Sequence, residues 1–197
     1  KEHLLEPLNR AALRIARKCA DNPPKGLGVS LMAGNISNSN IWEDNNPKIQ
    51  AQVKSMFAEM VKWAKEENLM AGNISNSNIW NQNDKKSQLE VEKMFREMVG
   101  WAVDEGADIL IGETFYYAEE AYAALKVMKE TGLPSVITIA PYGENIMRDG
   151  ISIIDTCKNL EQLGGDVVGM NCHRGPNTMM PYLKEVRKEL KCHIAGL

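Results

Sequence analysis

Along the second half of the chain, apolar positions alternate between compact runs and helical stripes. Residues 108–113 form a short apolar run after Gly106, the pattern of a parallel strand buried on both faces. Residues 118–130 are rich in strong helix formers and stop at Gly132-Leu133-Pro134, which predicts a helix with a Gly-then-Pro ending. Residues 135–140 (SVITIA) are β-branched and predict a strand. Ile153, Ile154, Cys157, Leu160 and Leu163 recur at helical spacing before Gly164-Gly165, so residues 152–163 read as a helix. Residues 166–171 then predict a strand, 179–190 a helix and 192–197 a further strand. Strand and helix alternating with short joints imply βα units around a parallel sheet. Periodicity alone leaves a closed barrel and a doubly wound sheet both open. No GxGxxG follows a strand to favour a dinucleotide fold.

The first half holds a direct repeat. LMAGNISNSNIW at residues 31–42 recurs unchanged at 69–80, and Met56, Phe57, Glu59, Met60, Val61 and Trp63 match Met94, Phe95, Glu97, Met98, Val99 and Trp101. Two copies are too few for a solenoid, which needs about three. Gly28-Val29-Ser30 gives the first copy an apolar lead-in, whereas only the second runs through residues 104–108 into the next strand. One complete strand–loop–helix unit is therefore expected to be divided between two duplicate segments, 31–68 and 69–106. Removing 31–68 would leave a continuous βα unit. The methionines and Trp63 and Trp101 lie at helical spacing and read as core filling. Trp42 and Trp80 lie in polar loops, where an aromatic could line a pocket.

Composition narrows the class. With 197 residues and 44% hydrophobic content the chain can bury the core of a single domain spanning 1–197. A formal net charge of -3 gives no basic footprint for nucleic acid. No apolar run is long enough to span a membrane, and the first residues do not form a secretory signal. Four cysteines lie far apart without a CxxC, which suits a reducing, cytoplasmic compartment. The Asn-x-Ser sequons at Asn35 and Asn73 read as incidental. The chain starts at Lys1 and stops within an apolar run at Leu197, so a fragment is expected.

In parallel α/β folds, chemistry collects at the carboxyl ends of the strands. Three such ends carry polar groups: residues 34–37 or their copy 72–75, Gly112-Glu113-Thr114, and Asn171-Cys172-His173. Glu113 is either an ordinary strand-terminal carboxylate or one held rigidly to bind an ammonium. Cys172 is either a packed thiol or a metal ligand. A zinc site needs about four ligands, of which three can be protein side chains. Cys157 lies on a helix face, Cys192 begins a strand at its wrong end, and His173 and His193 are single. Residue chemistry alone thus offers one candidate ligand without a complete site.

AGNISNSNIW, WAVDEGADILIGETF, GLPSVITIAPYGE and GGDVVGMNCHRGPNTMMPYLKEVR, taken in order, resemble consecutive strand–loop segments of the homocysteine S-methyltransferase family. The likeness is strongest to its betaine–homocysteine branch and covers nearly the whole chain apart from the extra copy. It implies a partial (βα)8 TIM barrel lacking its first strands and its last. It implies zinc as the cofactor, bound by Cys172 and by an adjacent Cys pair that would lie beyond this chain. It further implies that Glu113 holds the homocysteine amino group and that Thr114 and Asn171 contribute to substrate binding. Asn171 and His173 are candidates to orient the Cys172 thiolate. Thr114 stands where the animal betaine enzymes have Tyr, so S-methylmethionine is the alternative methyl donor.

The implied activity is transfer of a methyl group, with betaine the favoured donor, to the zinc-activated thiol of homocysteine, giving methionine. The implied partners are those small molecules and, in a full-length protein, further copies of the chain. Because a closed barrel takes about 250 residues, the 197 residues alone are expected to be inactive and to bind no stoichiometric zinc. A lyase or aldolase barrel is disfavoured by the lack of a Schiff-base Lys at any strand end. A non-catalytic barrel remnant is a further alternative.

Overall fold

The computed structural model describes residues 69–196 except 105 and 142 and, before them, residues 11, 18, 33–36, 46–52, 54, 55, 58 and 59. Among the described residues, six parallel strands form one sheet in sequential order. They are β1 (Ala33–Ile36), β2 (Leu69–Ser75), β3 (Ile109–Phe115), β4 (Ser135–Ile139), β5 (Val167–Met170) and β6 (His193–Gly196). Helices α1 (Lys85–Asp104), α2 (Ala118–Lys129), α3 (Ile153–Gln162) and α4 (Pro176–Glu189) link β2 through β6, one per crossover. The chain is therefore an α/β protein built from βα units.

Each helix follows from local chemistry. Val91, Phe95 and Val99 lie four apart and form the buried stripe of α1. Gly106, at φ 80°, ends that helix, with Gly106 N bonding to Val103 O and Ala107 N to Ala102 O, both at 2.8 Å. Ser152 caps α3 by accepting from Asp155 N at 3.0 Å. Helix α4 starts three residues before the predicted 179, because Pro176 suits the first helical turn, where its missing N–H costs no bond.

The core lies between the sheet and these helices. Phe95 of α1 meets Phe115 of β3 edge-on at 6.1 Å, and Leu110, Leu125, Met128, Ile137, Ile139 and Leu160 are fully buried around them. On β3 and β4 the alternate positions Ile109, Ile111 and Val136 are only partly covered.

The duplicated segment departs from the sequence reading. In the second copy Leu69 and Met70 begin β2, which leads through residues 76–84 into α1, and in the first copy residues 47–52, 54, 55, 58 and 59 are also helical. The duplication also reaches the strand, since the first copy forms β1 and pairs with β2 in the register Ala33↔Leu69. Its lead-in at residues 28–30 lies outside the described residues, as do Trp42, Trp63, Met56 and Met60. Ala33 thus pairs with Leu69, two positions before its own copy Ala71. Trp101, expected in the core, is half-buried with the Lys54 ammonium 5.2 Å from its ring centroid.

The amino end of the sheet is closed by structural polar contacts. Asp166 Oδ2 accepts from Lys129 Nζ at 2.9 Å and from Ser135 N and Oγ at 2.8 Å. Burial would raise the Asp166 pKa, but these bonds outweigh it and hold the carboxyl below its ordinary value. Glu161 Oε1 accepts from Lys191 N and Cys192 N at 2.6 Å, fixing the entry to β6. The opposite, carboxyl end is left for other work.

Candidate functional site

Strand β3 does not stop at Glu113, as the apolar run suggested, but continues to Phe115 through a bulge. Gly112 pairs with Ile137 and Phe115 with Ile139, so β3 carries one extra residue relative to β4. Thr114 sits there at φ 64°, a conformation that is rare for a β-branched residue and costs on the order of 1–3 kcal/mol. Bulges near strand ends redirect side chains. Here the result is that Glu113 and Thr114 are both partly exposed at the carboxyl end.

Asn171, which follows β5, holds the bulge in place. Its Oδ1 accepts from Thr114 N and from Thr138 Oγ1, each at 2.9 Å. Its Nδ2 donates to Thr114 Oγ1 at 2.7 Å and to Cys172 Sγ at 3.4 Å. All four hydrogen-bonding positions of the amide are thereby used, and the side chain is 2% exposed. Cys172 and His173 follow at φ 55° each, and Arg174 N closes the turn onto Cys172 O at 2.7 Å. That turn lifts the Cys172 thiol out of the packed interior to an exposed position. Of its two sequence readings, the packed core thiol is excluded.

The other cysteines are placed differently. Cys157 is fully buried on α3, and burial pushes its thiol up to about 12. Cys192 lies at the amino end of β6, and its thiol is pushed up to about 11 by burial and by the nearby Glu161 carboxylate. Both stay protonated at neutral pH and so are poor ligands. Cys19 lies outside the described residues. Among the described residues no three His, Cys, Asp or Glu side chains are grouped to hold a metal ion. Cys172 is the one described cysteine at the carboxyl end.

Glu113 is brought to a residue that was noted in the sequence only as a sequon and a strand end. Asn73 of β2 donates Nδ2 to Glu113 Oε1 at 3.0 Å, while its own Oδ1 is buried without a partner among the described residues. A carboxylate beside an unmatched amide carbonyl is an acceptor set suited to an ammonium, which has three N–H donors. Glu120 was also missed, since it lies inside an ordinary amphipathic helix. Its carboxylate, 1% exposed, accepts from Ser77 N at 2.7 Å and Ser77 Oγ at 2.6 Å, fixing the loop after β2. Burial raises its pKa, an effect the Ser77 bonds partly offset. Trp80 of that loop packs against the core edge. His173 Nε2 lies 2.9 Å from Tyr116 OH.

Comparison with known proteins shows the family of the chain. The family model for homocysteine S-methyltransferase matches residues 1–196. The chain belongs to the homocysteine S-methyltransferase family. It is 29% identical over 186 residues to the S-methylmethionine–homocysteine S-methyltransferase BHMT2 of Pongo abelii, covering 94% of this chain and 39% of that relative. Against betaine–homocysteine S-methyltransferase 1 of Rattus norvegicus it is 31% identical over 188 residues, covering 94% of this chain and 34% of the relative. The chain thus spans little more than a third of these homocysteine S-methyltransferases. The apo homocysteine methyltransferase MmuM of Escherichia coli superposes with a TM-score of 0.72 at 16% identity, covering 97% of this chain and 71% of that one. A metallated form of the same protein gives 0.63 over 75% of this chain and 58% of that one, also at 16% identity. These two likenesses show the fold shared with the family. No described helix is long and apolar enough to cross a membrane.

Proposed function

We propose that the carboxyl end of this sheet is the homocysteine-methylating site of a zinc-thiolate enzyme. The observation that carries the reading is that Asn171 ties the Glu113–Thr114 bulge to the exposed Cys172 thiol. Cys172 is one zinc ligand, with the remaining donors supplied from outside the described residues. An exposed thiol whose sulfur accepts an amide N–H suits that role, because the bond helps to orient the sulfur. Bound zinc would deprotonate the homocysteine thiol and hold it as a nucleophile at neutral pH.

The chain's own residues position the substrate. Glu113 takes the homocysteine ammonium, and Asn73 Oδ1 takes a second of its N–H groups, ending that acceptor's isolation. Thr114, held by Asn171, shapes the wall between the ammonium site and Cys172. The sulfur then lies in line with a donor methyl carbon about 3–3.5 Å away. The C–S bond forms as the methyl–onium bond breaks, and the electron pair stays on the donor's nitrogen or sulfur. Betaine is the favoured donor and S-methylmethionine the alternative, since relatives of both kinds match the chain.

The sheet itself is read as part of a (βα)8 barrel over a single domain, residues 1–197, with 31–68 and 69–106 as duplicate segments. Strictly sequential parallel order supports this, as do the half-covered Ile109, Ile111 and Val136, which face a barrel interior in such a fold. An open cavity of about 800 Å3 beside α4 and β6, lined by Met179, Leu183 and Ile194, is where a further unit would pack.

The test is methionine formation by the protein that contains this chain, given Zn2+, L-homocysteine and either donor. Cys172→Ala is expected to abolish turnover and lower bound zinc, and Glu113→Gln to weaken homocysteine binding by tenfold or more. A Cys172→Ala protein that keeps its zinc and its turnover would overturn the assignment.

A further inference from the structure

The two copies of the duplicated segment differ in a patterned way. In the second copy Ala71, Gly72, Asn73 and Ile74 are buried on β2, and the first copy repeats them as Ala33, Gly34, Asn35 and Ile36. Val91, Phe95 and Val99 are the buried stripe of α1, and their counterparts in sequence are Val53, Phe57 and Val61. Every difference falls where the second-copy residue is exposed or half-buried. Ala51 stands for Leu89, Ala58 for Arg96 and Lys65 for Val103. Gly72 shows why identity matters at the buried positions. A Cβ there would lie 2.4 Å from Ala102 Cβ, and the first copy repeats both residues as Gly34 and Ala64.

The described backbone repeats too. Helix begins at residue 47 in the first copy and at Lys85 in the second, which are equivalent positions. Gln50 N donates to Asn46 O at 3.0 Å, as Gln88 N donates to Asp84 O at 3.2 Å. Asn46 Oδ1 accepts from Ile49 N at 3.3 Å and Asp84 Oδ1 from Lys86 N at 2.9 Å, so both helix starts are capped by the equivalent residue. The two polar residues through which the second copy reaches the rest of the sheet end, Asn73 to Glu113 and Ser77 to Glu120, recur as Asn35 and Ser39. The exit is compatible as well. Gly106 ends α1 at φ 80°, and its counterpart is Asn68, a residue type enriched in that backbone region. Joining Asn68 to Ala107 therefore leaves a continuous βα unit, as joining Ser30 to Leu69 does.

We propose that the two copies are interchangeable βα units, so that residues 31–68, with 69–106 removed, pack on β3 and α2 and present Asn35 to Glu113 and Ser39 to Glu120. Asn35 is then a second positioning residue for the substrate ammonium, which rests on the reading of Glu113 given above. The exchange loses little. Ala58 cannot replace Arg96 in its ion pair with Glu130, but both side chains are half exposed and such pairs contribute little in water. Ile49 cannot replace the Ser87 hydroxyl, which donates to Ile79 O at 3.1 Å.

The experiment compares the intact protein that contains this chain with forms lacking 31–68 or 69–106. Both shortened forms are expected to unfold cooperatively, with melting temperatures within about 8 °C of each other. Loaded with Zn2+ and titrated calorimetrically, both should bind L-homocysteine with affinities within about threefold. In the form lacking 69–106, Asn35→Ala should weaken L-homocysteine about tenfold and leave 4-mercaptobutyrate, which has no ammonium, unchanged. Asn73→Ala should do the same in the form lacking 31–68. Asn68→Gly in the form lacking 69–106 relieves any strain at the new joint. If either shortened form fails to unfold cooperatively, that joint variant included, interchangeability is overturned. It is also overturned if Asn35→Ala has no effect where Asn73→Ala has one. Cooperative unfolding of both forms, with no L-homocysteine binding even by the intact protein, would leave the exchange standing and remove the ammonium reading alone.

Discussion

The side-chain amide of Asn171 grips Thr114 twice, accepting from its backbone N–H at 2.9 Å and donating to its hydroxyl at 2.7 Å. One buried amide thereby joins a bulge on β3 to the Cys172 turn after β5. Replacing it by Asp removes both N–H donors and sets oxygen lone pairs against Thr114 Oγ1 and Cys172 Sγ. Asn171→Asp is expected to cost about 1–3 kcal/mol in urea denaturation, with Thr138→Val costing about 1 kcal/mol because one bond is lost. An unchanged midpoint for Asn171→Asp would show that the clamp does not hold the bulge.

Thiol reactivity separates the described cysteines. Cys172 is exposed, whereas Cys157 is fully buried with its thiol near 12, and Cys192 is half-buried with its thiol near 11. Brief iodoacetamide treatment at pH 8, read by peptide mass spectrometry, should label Cys172 first and the other two only after unfolding. Early labelling of Cys157 would contradict the packing of α3 on the sheet.

Glu120 makes stability depend on pH in a definite direction. Its pKa is raised in the folded state, so the unfolded chain loses this proton first as pH climbs from the ordinary value near 4.5. Its contribution is complete below that value and is lost as pH rises through the folded pKa. A Glu120→Gln protein keeps an acceptor for Ser77 but has no charge to bury. Its thermal midpoint should fall less between pH 4.5 and 8 than that of the wild type. Parallel pH profiles would mean that the Glu120 burial is not felt energetically.

Gly169 has a purely steric role. A Cβ there would lie 1.9 Å from the Ala195 carbonyl oxygen on β6, which is backbone and cannot turn aside. Gly169→Ala is expected to cost about 3 kcal/mol or more, measured by chemical denaturation, because β5 and β6 must separate. Gly175→Ala, with nothing within 4 Å, serves as the near-neutral control.

Much of the fold was legible in the residues because its signals are local. The β-branched run of β4, the Ile153–Leu160 stripe and the Gly-Pro ending after α2 each specify an element within a few positions. The strand-end segments around Glu113 and Cys172 could be ranked as candidates for the same reason. What stayed hidden depends on contacts between distant parts of the chain. The bulge at Thr114 exists because Asn171 stabilises a costly φ from 57 positions away. Asn73 gains meaning only beside Glu113, and Glu120 only beneath Ser77. Arg148, in a loop with no motif of its own, reaches Tyr116 through one backbone bond and a stacked ring. The duplicated segment gives the same division: its repeat is plain in the sequence, but parallel pairing alone set both copies side by side as strands. By itself, then, the sequence determined the elements and the candidate thiol and carboxylate, through periodicity and residue chemistry. The tertiary structure decided which side chains meet at the sheet's carboxyl end, because hydrogen bonds and charge act through space.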